Sequence, residues 1–352
     1  MIFGVVVLHT PQYVPITEVG SDWFSLTKAF FQSAMFRTTV PVLTFISGYL
    51  VFHAGLDRLP KKLAAKKARS LLLPFLAFNL PLVAAVCLAE LFTDVQTNYR
   101  LLPFDASTWL DAAFGLLHSP INYPLNFLRD MIVLMCLAPA MGWLIRRTPA
   151  LGFMLVSVLF LSNFDGVLVL RDTMPVIFYV GGVAACRKWD LRALDRHALP
   201  CALLFLLLCA SIVVFRVANT NMLRLVSPLL VWPASALLFD TRFGQWCVRM
   251  NKYSFFLFVA HAPVLFATWL LFKRFGQGLP YPVYWALAPL LTTAMIVVVY
   301  RCTMRLAPGL LSVMLGGRGK PRARPEGAER KPSREAEGVD LQGMPVSAPR
   351  AR

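Results

Sequence analysis

Charge is scarce in this chain. Only 15% of its 352 residues are Asp, Glu, Lys or Arg, against roughly 25% in a soluble domain, so an ordinary water-facing surface cannot be built. There is no glycine-rich phosphate loop, which removes the nucleotide-binding motifs that cradle phosphate on backbone N–H groups. The seven cysteines include no CxxC pair, so neither a redox motif nor a metal cluster is legible. They lie in or beside apolar runs and read as small buried hydrophobes. The N-terminus lacks a basic region and a small-residue cleavage site, so it reads as a poor signal peptide.

What is present is apolar. Hydrophobic residues make up 57% of the chain and the mean hydropathy is +0.62. Runs of near-spanning length recur along it. They are continuous rather than alternating, which argues against a transmembrane barrel and for an all-α bundle that satisfies its own backbone in lipid. Ten spans are expected, at about 1–16, 38–55, 70–92, 125–145, 149–164, 172–186, 198–217, 222–239, 253–272 and 281–306. The first is short, about 24 Å even if wholly helical. The expectation is that the translated chain begins upstream of Met1, which an apolar, basic in-frame segment there would support and a stop codon directly upstream would refute.

The net charge of +17 does not point to nucleic acid. It is divided among short loops and a tail. The 58–69 loop carries six basic residues, and Arg146–Arg147, Arg187–Lys188, Arg249 with Lys252, and Arg301 with Arg305 fall on the same side. The positive-inside rule then puts both termini in the cytoplasm, with anionic lipid headgroups as partners. Arg216, Arg224, Lys273 and Arg274 fall on the opposite side and weaken the pattern. Residues 316–352 are polar and read as a basic, disordered cytoplasmic tail after a membrane domain of residues 1–315.

Polar residues inside lipid carry the chemistry that can be read. His9 ends the apolar run Ile2–Leu8. It is either a base that accepts a proton from a hydroxyl or a histidine bonded to a neighbouring helix or exposed at the interface. Arg37, Pro41, Thr44 and Gly48 share a helix face, with Ser47 beside them. Packing is the plainer reading for Thr44, Ser47 and Gly48. Arg37 is expected at an outer helix end, snorkelling or binding an anion. The 58–69 loop, with Lys66 and Arg69, is a topology determinant or a phosphate clamp. Arg129 and Asp130 are neighbours in sequence, so they are expected to pair with different helices. His261 lies near mid-membrane, placed for proton handling, substrate contact or a bond across helices.

At these residues the chain resembles acyltransferase family 3, the integral membrane O-acyltransferases. The segments that carry the resemblance include VVVLHT (5–10), FRTTVPVLTFISGYL (36–50), KKARSLLLPF (66–75), NFLRDMIVLMCLAP (126–139) and NKYSFFLFVAHAPVL (251–265). It covers about residues 1–306, and the first seventy are most similar to the succinoglycan-type succinyltransferase subgroup. The resemblance implies a ten-helix core in a bacterial inner membrane. It implies transfer of an acetyl or succinyl group from acyl-CoA to a sugar hydroxyl of a polysaccharide or lipid-linked oligosaccharide. His9 matches the family's base, and Arg37 with Ser47-Gly48 matches its second-helix pattern. Lys66 and Arg69 fall where the family has an R-x-x-R pair for acyl-CoA, with lysine in the first place losing the bidentate fork. The family's arginine about ten residues before the histidine would precede Met1. A succinyl donor brings an extra carboxylate, for which Arg37 or Arg129 is available. The alternatives from other classes are a transporter or flippase for a glycolipid or small anion and a non-catalytic export subunit.

Overall fold

The computed structural model describes residues 1–92, 99–162, 168–276 and 278–318, and among these it contains helices, turns and loops and no strand. Most of the expected tail lies outside the described residues. Helix α1 runs over Ile2–Leu8 only. Its expected extension to residue 16 does not form: Pro11 disfavours helical geometry at Thr10 and offers no N–H, and Pro15 repeats the block. Seven residues rise about 10 Å, well short of a bilayer core.

The second span begins earlier than its hydropathy indicates. Asp22 caps α2 (Trp23–Ala29), its carboxylate accepting from the Ser25 N–H at 3.0 Å. The chain stays helical through a π turn (Phe30–Ala34) and a 3-10 turn (Met35–Thr38) into α3 (Thr39–His53). Lys28, Gln32 and Arg37 interrupt the apolar pattern and hid this first half. Helix α4 (Pro60–Lys67) likewise passes through a π turn into α5 (Leu73–Phe92). A short α6 (Ala106–Phe114) precedes α7 (Asn126–Arg147), α8 (Pro149–Leu161) and α9 (Met174–Cys186). Then come α10 (Ala198–Val214), α11 (Asn221–Ala234), the long α12 (Arg242–Phe275), α13 (Tyr281–Leu306) and α14 (Pro308–Met314).

Among the described residues, seven helical stretches are long and apolar enough to cross a membrane, and α8 and α9 are shorter apolar helices. The outer surface matches that solvent. Helix α10 turns Leu199, Leu203 and Leu207 outward and buries Phe205 and Cys209, the arrangement expected where lipid replaces water. The chain is a multi-pass, all-helical membrane protein. The cysteines carry free thiols. Cys136, Cys247 and Cys302 are at the helical surface, where burial was expected, and only Cys209 is fully buried.

Helix α9 sits in the middle, against α3, α7 and α8. A Cβ on Gly48 would stand 2.3 Å from the Phe178 carbonyl oxygen, and one on Gly181 would stand 2.4 Å from that of Phe45. The two backbones touch because neither position has a side chain. Helices α3, α7 and α9 begin at one end of the bundle, where Val40, Tyr123 and Met174 line one cavity. At the other end Asp57, just beyond α3, accepts from Arg146 in the last turn of α7 at 2.6 Å.

Candidate active site

His9 caps the C-terminal end of α1. Its N–H bonds to the carbonyls of Val5 and Val6, and its ring Nδ1 lies 2.8 Å from the Val5 oxygen. A carbonyl only accepts, so Nδ1 carries the hydrogen. His261, fully buried on α12, does the same, with Nδ1 2.7 Å from the Phe258 oxygen. That leaves His261 Nε2 as an acceptor, and it lies 3.3 Å from His9 Nδ1. The unshared pair on His9 Nε2 has no partner among the described residues. This is the tautomer that a general base needs, fixed by two backbone carbonyls and a second histidine.

The turn after His9 is clamped. Gln32, buried in the π turn, donates to the carbonyls of Val7 (2.9 Å), which also accepts from the Thr10 N–H, and Thr10 (2.8 Å), tying down the end of α1. Tyr281 donates its hydroxyl to the Pro11 carbonyl and accepts from the Gln12 N–H. Lys28 reaches the Gln12 carbonyl and lies over the Tyr281 ring. Sequence reading missed all three. Their signal was a polar residue inside an apolar run, which Gln32 and Lys28 give and Tyr281 does not.

His9 opens onto a cavity of about 940 Å³. Arg37, Arg171 and Arg224 line it, with a single carboxylate, Asp172. Arg37 stands inside the continuous helical stretch rather than at a helix end, where the sequence put it. Its Nη2 donates to the Tyr13 hydroxyl at 2.6 Å, while its buried Nε has no partner. Arg224 donates to the neutral Asn221 side chain at 3.1 Å. Asp172 accepts from the Thr173 N–H and the Asn221 amide. Tyr123 stands edge-on to the His9 ring, centroids 5.7 Å apart.

Arg129 and Asp130 stand behind the cavity wall and hold the Leu170–Arg171 segment that lines it. The expectation that they would pair with different helices is corrected: Arg129 bonds Asp130 at 3.1 Å, because a long guanidinium folds back where adjacent Cβ atoms diverge. Arg129 also donates to the carbonyls of Gly115, Leu116 and Leu168. Asp130, wholly buried, accepts from the N–H groups of Leu170 and Arg171. The pair ties two loops to α7 and presents Arg171 to the cavity. Arg129 is thereby used up and free for no substrate.

Ser47 is half-buried on α3, outside the cavity lining. Lys66 and Arg69 are exposed on a segment that packs on α7, at the end marked by Asp57 and Arg146. With 22 residues, α7 puts about 33 Å between its two ends. The structure therefore brings His9, Arg37 and His261 together and leaves Ser47, Lys66 and Arg69 apart.

A second cavity of about 640 Å³ shares Tyr123 with the first and is lined by Arg100, His118 and Ser119 among others. Asp111 organises it, accepting from the Leu117 and His118 N–H groups and the His118 ring. Burial opposes ionisation of Asp111, but those donors outweigh it and hold the carboxyl below its usual range.

A helical membrane bundle with a tautomer-locked histidine on a cationic cavity has the parts of an acyl-transfer centre. Residues 1–301 match the model of the family 3 acyltransferase domain. The chain belongs to that family. It is 31% identical over 339 residues, 90% of each chain, to the succinoglycan biosynthesis protein ExoH of Rhizobium meliloti (strain 1021). No solved structure matches it.

Proposed function

We propose that this chain is an O-acyltransferase of a bacterial inner membrane. It moves an acetyl or succinyl group from acyl-CoA to a sugar hydroxyl of an exported polysaccharide or its lipid-linked precursor. The observation that carries this reading is the free Nε2 of His9 facing a cavity lined by arginines. Family membership supports acyl transfer, and the relative's role in succinoglycan biosynthesis supports a glycan acceptor.

In this reading His9 Nε2 takes the proton of the sugar hydroxyl as its oxygen attacks the thioester carbonyl. The carbonyl oxygen becomes an oxyanion, for which Arg37 is a charged donor. Collapse of the tetrahedral species expels the CoA thiolate, which takes the proton back from His9. The products are the sugar ester and free CoA. His261 is a positioning residue that holds the His9 tautomer. Ser47 has no step here. Lys66 and Arg69 bind the phosphates of acyl-CoA on the cytoplasmic side, and the pantetheine arm carries the thioester through the bundle. The second cavity, on the far side of Tyr123, takes the acceptor glycan. In this reading α8 and α9 cross with the seven long stretches, giving nine crossings, and α1, at seven residues, does not complete a tenth. The transport reading loses its motive, since Arg129 and Asp130 hold loops and His261 braces His9.

The test is acyl transfer by purified protein in nanodiscs, from acetyl-CoA and from succinyl-CoA, to polysaccharide from cells that lack this gene. His9→Gln is expected to lower kcat by about 10²–10⁴-fold with the melting temperature in detergent unchanged. Full activity in that folded variant would refute the assignment.

A further inference from the structure

Residues 316–318, the start of the polar tail, are held against the bundle. Helix α14 packs on α5 and α13 and ends in a turn that glycine makes without strain. Gly316 and Gly317 both have positive φ, 67° and 86°. The Gly316 N–H closes on the Val313 carbonyl at 2.9 Å and the Gly317 N–H on that of Ser312 at 2.7 Å, which satisfies the last carbonyls of the helix. The turn lies on the segment that carries Arg69. A Cβ on Gly316 would overlap the Arg69 carbonyl oxygen, and one on Gly317 would stand 3.3–3.5 Å from atoms of the Arg69 guanidinium. The next residue is Arg318. Its guanidinium carbon is 3.7 Å from the centre of the Phe255 ring on α12.

Stacking suits Arg318 to binding. The N–H donors of a guanidinium point outward in its plane, so an aromatic ring against one face fixes the group and leaves the donors open. Arg318 is exposed, as are Lys66 and Arg69. Lys66 and Arg318 are both within electrostatic reach of Lys67. Among the described residues no ion pair within 4.0 Å joins any of these four cations to a carboxylate. Asp57, at the same end of the bundle, is spent on Arg146. Like charges gathered in this way repel one another, a cost that a bound polyanion removes.

Coenzyme A is such a polyanion, and it carries phosphate at two separate places, a pyrophosphate and a ribose 3′-phosphate monoester. The cations likewise come from two separate elements, the Lys66–Arg69 segment and the turn after α14. The pyrophosphate adjoins the pantetheine arm that must enter the bundle, which leaves the monoester for the other element. We propose that Arg318 is a further binding residue for acyl-CoA, its fork holding the 3′-phosphate while Lys66 and Arg69 hold the pyrophosphate. This rests on the reading of acyl-CoA as donor and adds a residue from the opposite end of the chain. A lipid headgroup offers the same phosphate chemistry at this depth, and the test separates the two sources.

Binding of CoA and of 3′-dephospho-CoA is measured by titration calorimetry in nanodiscs of zwitterionic and of anionic lipid. The proteins are wild type, Arg318→Gln, Arg318→Lys and the double variant Lys66→Ala with Arg69→Ala. Wild type is expected to bind CoA about tenfold more tightly than 3′-dephospho-CoA. Arg318→Gln should bind the two alike while melting as the wild type does, and Arg318→Lys should fall between, keeping the charge without the fork. The double variant should bind both ligands more weakly. An equal fall for both ligands in Arg318→Gln, or a fall in neither, would overturn the inference and leave the donor site at Lys66 and Arg69 standing. A change in Arg318→Gln confined to the melting temperature in anionic nanodiscs would make the residue a headgroup contact and overturn it as well. Failure of wild type to bind either ligand would overturn the acyl-CoA reading and the inference with it.

Discussion

His9 and His261 hold each other in order through atoms that a sequence does not display. Each ring spends Nδ1 on a carbonyl of its own helix, and the second ring closes on the first at 3.3 Å. Both were legible as titratable side chains in apolar runs. Their pairing was not, because 252 residues separate them and no local pattern reports a contact of that range. Arg224 was visible only as a charge that weakened the topology rule. The structure puts it in the wall of the His9 cavity. Arg171 was masked by its position just before an apolar run. His261→Phe keeps the ring's volume and removes the acceptor that faces His9. The expected outcome is a fall in kcat of about tenfold or more with KM for acyl-CoA unchanged, the split expected of an outer-shell partner that orients a catalytic imidazole. Parallel loss of kcat and cooperative melting would indicate a structural role instead.

At the scale of elements, hydropathy located the apolar stretches and misjudged where helices start and stop. Helix α1 ends early because of Pro11, which was readable. Helix α2 begins early at its Asp22 cap, and Lys28, Gln32 and Arg37 hid that start by interrupting the apolar pattern. The face of small residues on α3 was read as a packing face, yet only the fold shows that Gly48 meets α9 at Phe178 and Gly181 meets α3 at Phe45. Helix α6 lay unseen in a long polar connection, although its cap is local. Asp105 accepts from the side chains of Ser107 and Thr108 and from the Thr108 N–H. Those bonds, Ser107 first, hold its carboxyl down at about 2. A depressed folded value means the cap's contribution is complete above the ordinary Asp range near 4 and is lost as pH falls through about 2. Protection factors over residues 106–114, with the intrinsic pH dependence of amide exchange divided out, should therefore be high at pH 5 and fall toward pH 2. In Asp105→Asn the neutral cap should remove that pH dependence. An unchanged pH profile in Asp105→Asn would refute the role of the carboxylate.

Across the whole molecule the histidine cavity and the exposed Lys66 and Arg69 lie about a bilayer apart. The ends of α3, α7 and α9 that line the histidine cavity are opposite the end where Asp57 meets Arg146 and where Lys66 and Arg69 are exposed. The charge pattern of the sequence implied this separation, and the 22-residue α7 sets its scale at about 33 Å. A donor held by its phosphates at Lys66 and Arg69 must thread its thioester between helices to reach His9. An acceptor in the second cavity approaches from the other side, with Tyr123 between the two. Binding and chemistry are then separable by mutation. Lys66→Ala with Arg69→Ala is expected to raise KM for acyl-CoA about tenfold, since contacts with a remote phosphate act equally on ground and transition states, and to leave kcat near its wild-type value. The weakened binding should also lose much of its sensitivity to salt, because exposed charges act on phosphate through a screened field. Steady-state kinetics at low and high ionic strength measure both effects. A fall in kcat without a change in KM would mean that these side chains act on the reacting group, which a bilayer-long separation from His9 does not allow.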